Sequence, residues 1–229
     1  MTYIARRLEV VQEDGRAVEY SDAEFFALQA PLVVLGEPGA GKSVLVKEFQ
    51  KTSGSQFYYA SGLLPESIAP AIFPARIIID GLDEVTAYKP GAPIVDILGK
   101  LAKHQPPNFV LTCRAVDWQH AANSTIISRH WQQAPVVGRL LPLNDEEIIS
   151  FIAVEDSAQD GAAFLKEARK REVGDLLRNP QNLLMLLKTV KNSGWPTTRS
   201  ELFEQSCTAL VAEENEMHGS LSGSVRPAS

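Results

Sequence analysis

The stretch Leu32-Val33-Val34-Leu35-Gly36-Glu37-Pro38-Gly39-Ala40-Gly41-Lys42-Ser43 decides the fold. It begins with four apolar residues and ends with the pattern G-x-x-x-x-G-K-[ST], and helical spacing of apolar residues follows over 43–51. An apolar run that ends at glycine is typical of a buried parallel strand. The sequence therefore predicts a strand, a glycine-rich loop and a helix in direct succession.

The glycine-rich loop has the chemistry of a phosphate site. Glycine permits backbone dihedrals that a Cβ forbids, so N–H groups can converge on phosphate oxygens, and the following helix presents its positive end to the same anion. We expect Lys42 to reach the β- and γ-phosphates and Ser43 to ligate Mg²⁺. The alternative is a glycine-rich turn that fits by chance, but the flanking strand and helix weigh against it. The predicted nucleotide-binding residues are Gly36, Glu37, Pro38, Gly39, Ala40, Gly41, Lys42, Ser43 and Val44.

A second motif, Ile77-Ile78-Ile79-Asp80-Gly81-Leu82-Asp83-Glu84, places an acidic residue at the end of an apolar run. We expect Asp80 to hold Mg²⁺, while Asp83 and Glu84 orient or deprotonate the attacking water. The alternative is a solvated acidic turn after a core strand. Which of Asp83 and Glu84 is the base stays open, although we favour Glu84 because Asp83 suits a supporting role.

The third motif is Phe109-Val110-Leu111-Thr112-Cys113-Arg114, an apolar strand with a polar pair at its end. We expect this strand between the phosphate-loop strand and the acidic strand. Arg114 would then face the γ-phosphate, where it stabilises charge or reports the presence of that phosphate. The alternative is an arginine paired with Asp83, Glu84 or Asp117. Cys113 alternates with the polar pair and is expected in the core.

The remaining segments predict an α/β protein. A hairpin around Asp14-Gly15 is followed by a capping box from Ser21 to Glu24, and strand-like runs then alternate with helical ones as far as Leu143. From Asn144 only helical patterns remain, the last over 198–217. We predict an N-terminal linker, hairpin and short helix over 1–30, followed over 31–143 by an α/β domain with a mostly parallel sheet flanked by helices. A small all-α domain over 144–218 and a flexible tail over 219–229 complete the prediction.

Composition excludes several classes of protein. The 229 residues are 45% hydrophobic and 22% charged, which is ordinary for a folded domain, and the net charge of −6 argues against non-specific binding to nucleic acid or anionic membranes. No apolar run approaches the roughly 18 residues of a membrane helix. Residues 1–16 contain no apolar region of the kind found in secretory signals, so we do not expect them to act as one. Cys113 and Cys207 are too few for a disulfide framework, so we expect a cytoplasmic protein. The basic run 166–171 is expected to be a solvated helix face.

Together, GEPGAGKS, IIIDGLDE and LTCR resemble the NACHT branch of the STAND ATPases, whose core is an ASCE/AAA-like P-loop NTPase sheet followed by a helical domain. Three later stretches resemble the helical segments of this family, namely PLNDEEIISFI, LRNPQNLLMLL and TTRSELFEQSCTALV. The resemblance implies that Pro180 packs on the adenine, although a proline that begins a helix needs no such role. By a less specific match, the resemblance also places Tyr3, Ile4 and Arg6 in the linker near the nucleotide base.

The chain departs from the family pattern in three ways. The interval between the phosphate loop and the acidic strand is short, and no effector or repeat sensor is evident. No winged-helix domain, which supplies a histidine to bound ADP in the family, fits after Met217, and His218 is no substitute. We therefore expect an ATPase core with its first helical domain, as a fragment of a longer receptor.

The resemblance implies a slowly hydrolysing switch that binds ATP, ADP and Mg²⁺. ADP would hold it closed, and ATP would open it for self-association in signalling or antiviral defence, with effector and sensor partners unidentified. A first alternative is an AAA-type motor or loader acting on protein or nucleic acid, with Arg129 or Arg139 as default arginine fingers. A second is a nucleotide-binding scaffold without hydrolysis. A GTPase is disfavoured because no N-K-x-D guanine reader occurs.

Overall fold

The computed structural model describes residues 3–63, 76–82, 85, 93–104 and 108–196. The chain divides into two compact units, one of residues 1–142 and one that begins at Leu143. The acidic residues Asp83 and Glu84, the predicted helix at 198–217 and the predicted tail lie outside the described residues.

One sheet organises the first unit, and its described strands have the order β2-β1-β7-β3-β6-β5-β4. Strands β3 to β7 are parallel to their neighbours among themselves, whereas β1 runs antiparallel to both β2 and β7. The expected α/β class with a mostly parallel sheet is confirmed. The predicted hairpin also forms, and β1 joins it to the main sheet. The strands are β1 (Arg7–Val11), β2 (Ala17–Ser21), β3 (Leu32–Leu35), β4 (Gln56–Tyr59), β5 (Ile77–Asp80), β6 (Phe109–Cys113) and β7 (Val136–Leu140).

Helices cover both faces of this sheet. They are α1 (Asp22–Ala27), α2 (Lys42–Ser53), α3 (Pro93–His104) and α4 (His120–Trp131). Leu32 and Val34 of β3 pack with buried residues of α1 and α2, whereas Val33 and Leu35 pack with those of α3 and α4. Every residue of β3 is buried. This two-sided burial explains why the strand reads as a continuous apolar run instead of an alternating one.

The second unit, as far as it is described, is helical. It contains α5 (Asp145–Glu155), α6 (Gly161–Lys170), a 3₁₀ turn (Gly174–Arg178) and α7 (Pro180–Ser193). A capping box at Asn144 and Glu147 begins α5, just as the one at Ser21 and Glu24 begins α1. Within the described parts of both units, no helix has the length and apolar character needed to cross a membrane.

The basic run on α6 is largely ion-paired. Arg169 contacts Asp145 at 2.6 Å, and Arg171 contacts Glu167 at 2.6 Å. The hydrogen bond from Arg171 holds the pKa of Glu167 below its ordinary value. These carboxylates reduce the positive charge that this face offers, which favours the expectation of a solvated face over a nucleic-acid patch.

Candidate functional site

The loop between β3 and α2 has the backbone that its glycines predict. Gly39 and Gly41 adopt φ values of 73° and 92°, in the left-handed region that disfavours other residues. The N–H of Ala40 donates to the carbonyl of Glu37 at 3.2 Å, which closes a turn. The N–H of Gly36 donates to the carbonyl of Cys113 at 3.3 Å and anchors the start of the loop to β6.

Helix α2 begins without a side-chain cap. Gly41 occupies its N-cap position and offers no side-chain acceptor to the first turn. Four other described helices begin with a capping side chain that accepts hydrogen bonds from the first-turn N–H groups, namely Ser21, Asn144, Asp160 and Asn179. Because α2 lacks such an acceptor, its first-turn N–H groups and the positive end of its dipole suit an external anion.

Lys42 folds over the loop that precedes it. Its Nζ donates to the carbonyl of Gly36 at 2.8 Å and to that of Glu37 at 3.1 Å. Ser43 is exposed and Val44 half-buried in the same turn, while Glu37 and Pro38 lie exposed on the loop. The lysine charge and the positive end of the helix dipole therefore lie on one short segment.

Asp80 ends β5 at the same edge of the sheet. Its side chain is almost fully buried, with 3% of its surface exposed. The hydroxyl of Thr112, which is fully buried at the end of β6, donates to Asp80 Oδ1 at 2.6 Å. The same hydroxyl accepts a hydrogen bond from the N–H of Gly81 at 3.0 Å. The carboxylate is thus held by a neighbouring strand.

The two predicted metal ligands have the chemistry that magnesium prefers. Ser43 offers a hydroxyl oxygen and Asp80 a carboxylate oxygen. Mg²⁺ commonly takes one or two protein oxygens and completes its coordination with phosphates and water. A site of two oxygen donors beside a phosphate loop has this composition.

Strand β6 lies between β3 and β5, as the sequence predicts. Arg114 follows it immediately at the carboxyl end of the parallel strands, half-buried, and its carbonyl accepts the N–H of Asp117 at 3.2 Å. Cys113 is buried in the core, as expected. Pro180 is the first residue of α7, where the side chain of Asn179 caps the first turn.

Arg6 is bound more firmly to the loop than the sequence indicates. Its side chain is buried, and its two terminal nitrogens donate to the carbonyls of Ala40 at 2.7 Å and Leu141 at 2.8 Å. Its backbone N–H donates to Asp22 Oδ2 at 3.0 Å. The arginine therefore joins the N-terminal segment, the phosphate loop and the end of β7. The pattern of the sequence contains no signal for these contacts.

A cleft of about 490 Å³ opens beside α1 and α2. Tyr3, Phe26, Leu45 and Phe49 contribute apolar walls, and Asp22 and Glu48 contribute carboxylates. Phe26 and Phe49 stack at 4.3 Å between ring centroids. Leu45, Glu48 and Phe49 all belong to α2, so the cleft lies along the helix that follows the phosphate loop.

Comparison with known proteins adds a distant structural likeness. No protein-family model matches the chain. No curated protein matches it either. A Signal Transduction ATPase with Numerous Domains (STAND) protein with a tetratricopeptide repeat sensor, from Pyrococcus horikoshii, aligns at 17% identity with a TM-score of 0.42. The alignment covers 79% of this chain but only 30% of that structure. A likeness this distant establishes neither family nor activity.

Proposed function

We propose that this chain is a nucleotide-binding ATPase switch of the STAND type. The observation that carries the proposal is the loop itself, in which left-handed glycines lead into a helix that lacks a side-chain cap and Lys42 lies over the same segment. Lys42 would leave the carbonyls of Gly36 and Glu37 for phosphate oxygens. The N–H groups of the loop and of the first turn of α2, including those of Ser43 and Val44, would then hold the phosphates of ATP or ADP.

Ser43 and Asp80 are the residues that would hold Mg²⁺. When bound, the ion would neutralise charge on the β- and γ-phosphates. Glu84, or Asp83 in its place, would orient or deprotonate the attacking water, and Arg114 would stabilise charge on the γ-phosphate. The positions of Asp80 at the end of β5 and of Arg114 just after β6 support these roles, because both lie at the edge where the phosphate loop begins.

The finer parts of the proposal derive from the sequence motifs. The NACHT resemblance suggests that ADP favours a closed form and that ATP favours an open, self-associating form in signalling or antiviral defence. A nucleotide that binds the two forms differently shifts their populations without rapid turnover. The assignment of Pro180 to the adenine remains a prediction. Tyr3, which lines the cleft beside α2, supports a base site near the N-terminal segment.

The decisive experiment compares wild type with Lys42→Ala and Lys51→Ala. Lys51 lies on the same helix, where its exposed side chain pairs with Glu48 at 2.6 Å, so it controls for the loss of a lysine charge. Nucleotide released by denaturing each purified protein is identified by ion-exchange chromatography, and a fluorescent ADP is titrated into nucleotide-free protein. We expect ADP in wild type and Lys51→Ala. We also expect Lys42→Ala to bind at least about tenfold more weakly, which is about 1.4 kcal/mol.

Two outcomes would contradict the proposal. If wild type neither carries nor binds an adenine or guanine nucleotide, the loop is only a structural turn. If Lys42→Ala and Lys51→Ala bind equally well, the site lies elsewhere in the chain. Competition with GTP in the same titration tests the preference for adenine.

A further inference from the structure

We propose that Thr112 is a positioning residue for the magnesium ligand Asp80. The inference rests on the proposed function and adds a residue to its site. Thr112 acts through the carboxylate, by fixing the orientation in which Asp80 meets the cation.

Strand register brings the two side chains together. Ile79 of β5 pairs with Leu111 of β6, so Asp80 and Thr112 follow as neighbours at the ends of adjacent parallel strands. Both are buried, and the oxygen-to-oxygen distance of 2.6 Å is short, as expected for a hydroxyl that donates to a carboxylate.

The direction of the hydroxyl proton follows from the second contact. The backbone N–H of Gly81 can only donate, so Thr112 Oγ1 accepts from it at 3.0 Å. The hydroxyl proton is then available to the carboxylate, where Oδ1 accepts it. One oxygen of Asp80 is therefore engaged by β6, and the rotation of the carboxylate is restricted. The other carboxylate oxygen, Oδ2, is the atom that would meet the cation.

Packing alone does not explain a threonine at this position. The rest of β6 is apolar, and valine has nearly the same shape as threonine. Burying a hydroxyl without a hydrogen bond is unfavourable, so a hydroxyl suits a core position only where it has a partner. In β6 the hydroxyl occurs where the neighbouring strand ends in Asp80. Residues that orient metal ligands in this way typically change metal affinity by about 10–100-fold when mutated.

The test compares Thr112→Val with Thr112→Ser. Valine keeps the shape and removes the hydroxyl, whereas serine keeps the hydroxyl. Fluorescent ATP is titrated into each protein in EDTA and at a series of Mg²⁺ concentrations. We expect Thr112→Val to need at least about tenfold more Mg²⁺ to reach half of the metal-dependent gain in affinity. Its affinity for ATP in EDTA should stay within about twofold of wild type, and Thr112→Ser should restore the metal dependence.

Three results would overturn the positioning role. They are a Thr112→Val protein with the Mg²⁺ dependence of wild type, two variants that weaken binding equally with and without Mg²⁺, and a wild type that binds ATP with no Mg²⁺ dependence. A wild type that binds no nucleotide in EDTA or in Mg²⁺ would instead refute the proposed function itself. Thermal unfolding without nucleotide establishes that each variant is folded. If Thr112→Val does not fold, Thr112→Ala replaces it, because alanine also lacks the hydroxyl and is smaller than threonine.

Discussion

Arg6 and Arg7 are adjacent in the chain, yet their side chains have different surroundings. Arg6 is 5% exposed and donates to the carbonyls of Ala40 and Leu141. Arg7 is only partly buried, its Nη1 pairs with Glu19 across the hairpin at 3.2 Å, and its Nη2 donates to the carbonyl of Pro142 at 3.2 Å. Since Ala40 belongs to the phosphate loop, the hydrogen bond from Arg6 restrains that loop. Arg7 offers a control of the same residue type one position away.

We predict that Arg6→Met lowers both the free energy of unfolding and the affinity for nucleotide. The change leaves two carbonyls without their charged donor, and hydrogen bonds to charged groups are worth about 1.5–3 kcal/mol each, so a loss of about 2 kcal/mol or more is expected. Arg7→Met should change the free energy of unfolding by about 0.5 kcal/mol or less. Urea denaturation and titration with fluorescent ADP measure the two effects. Equal losses for Arg6→Met and Arg7→Met would show that the buried arginine does not support the loop.

Among the secondary-structure elements, β7 shows how closely a helix can approach the sheet. Gly138 of β7 pairs with Val34 of β3 on one side and with Val10 of β1 on the other. A Cβ at Gly138 would lie 2.6 Å from Phe25 Cε2 and 3.1 Å from Leu8 Cδ2. The ring of Phe25 on α1 therefore packs directly onto the backbone of β7.

We predict that Gly138→Ala destabilises the first unit by about 1–3 kcal/mol, the usual cost of forcing extra volume into a packed core. Gly99 of α3 is the matched control, since among the described residues nothing lies within 4 Å of a Cβ built there. Gly99→Ala should instead stabilise by about 0.5–1 kcal/mol, because alanine restricts the unfolded chain and favours helix. Both free energies come from urea denaturation. A Gly138→Ala protein as stable as wild type would mean that α1 moves away from the sheet at little cost.

The elements of this chain are more predictable from sequence than the contacts between them. The apolar run of β3, the hairpin turn at Asp14-Gly15 and the capping boxes at Ser21 and Asn144 are local signals, and each forms as expected. The hydrogen bond between Thr112 and Asp80 depends on the register of two strands, and Arg6 reaches Ala40 from 34 positions away. No local pattern encodes such contacts, because they arise only after the sheet has assembled.

For the whole molecule, the proposed ATP hydrolysis could serve either of two purposes, to drive work or to reset a switch. A motor that tracks nucleic acid needs exposed positive charge, but the net charge is −6 and the basic run on α6 is paired with Asp145 and Glu167. A switch needs only nucleotide binding that differs between two forms, with slow hydrolysis to reset it. These charges argue against a motor that tracks nucleic acid.

We predict a turnover well below about 10 s⁻¹, the median for enzymes, with no stimulation by nucleic acid or unfolded protein. The acidic motif with Asp83 and Glu84 beyond Asp80 is the basis of this expectation, and Glu84→Gln should abolish the remaining turnover while nucleotide binding persists. Phosphate release under single-turnover and steady-state conditions gives the rate, and light scattering with ADP and with ATP gives the oligomeric state. Constitutive hexamers with polymer-stimulated hydrolysis would favour an AAA-type motor. Hydrolysis that Glu84→Gln leaves unchanged would place the base elsewhere, and undetectable hydrolysis in wild type would favour a nucleotide-binding scaffold.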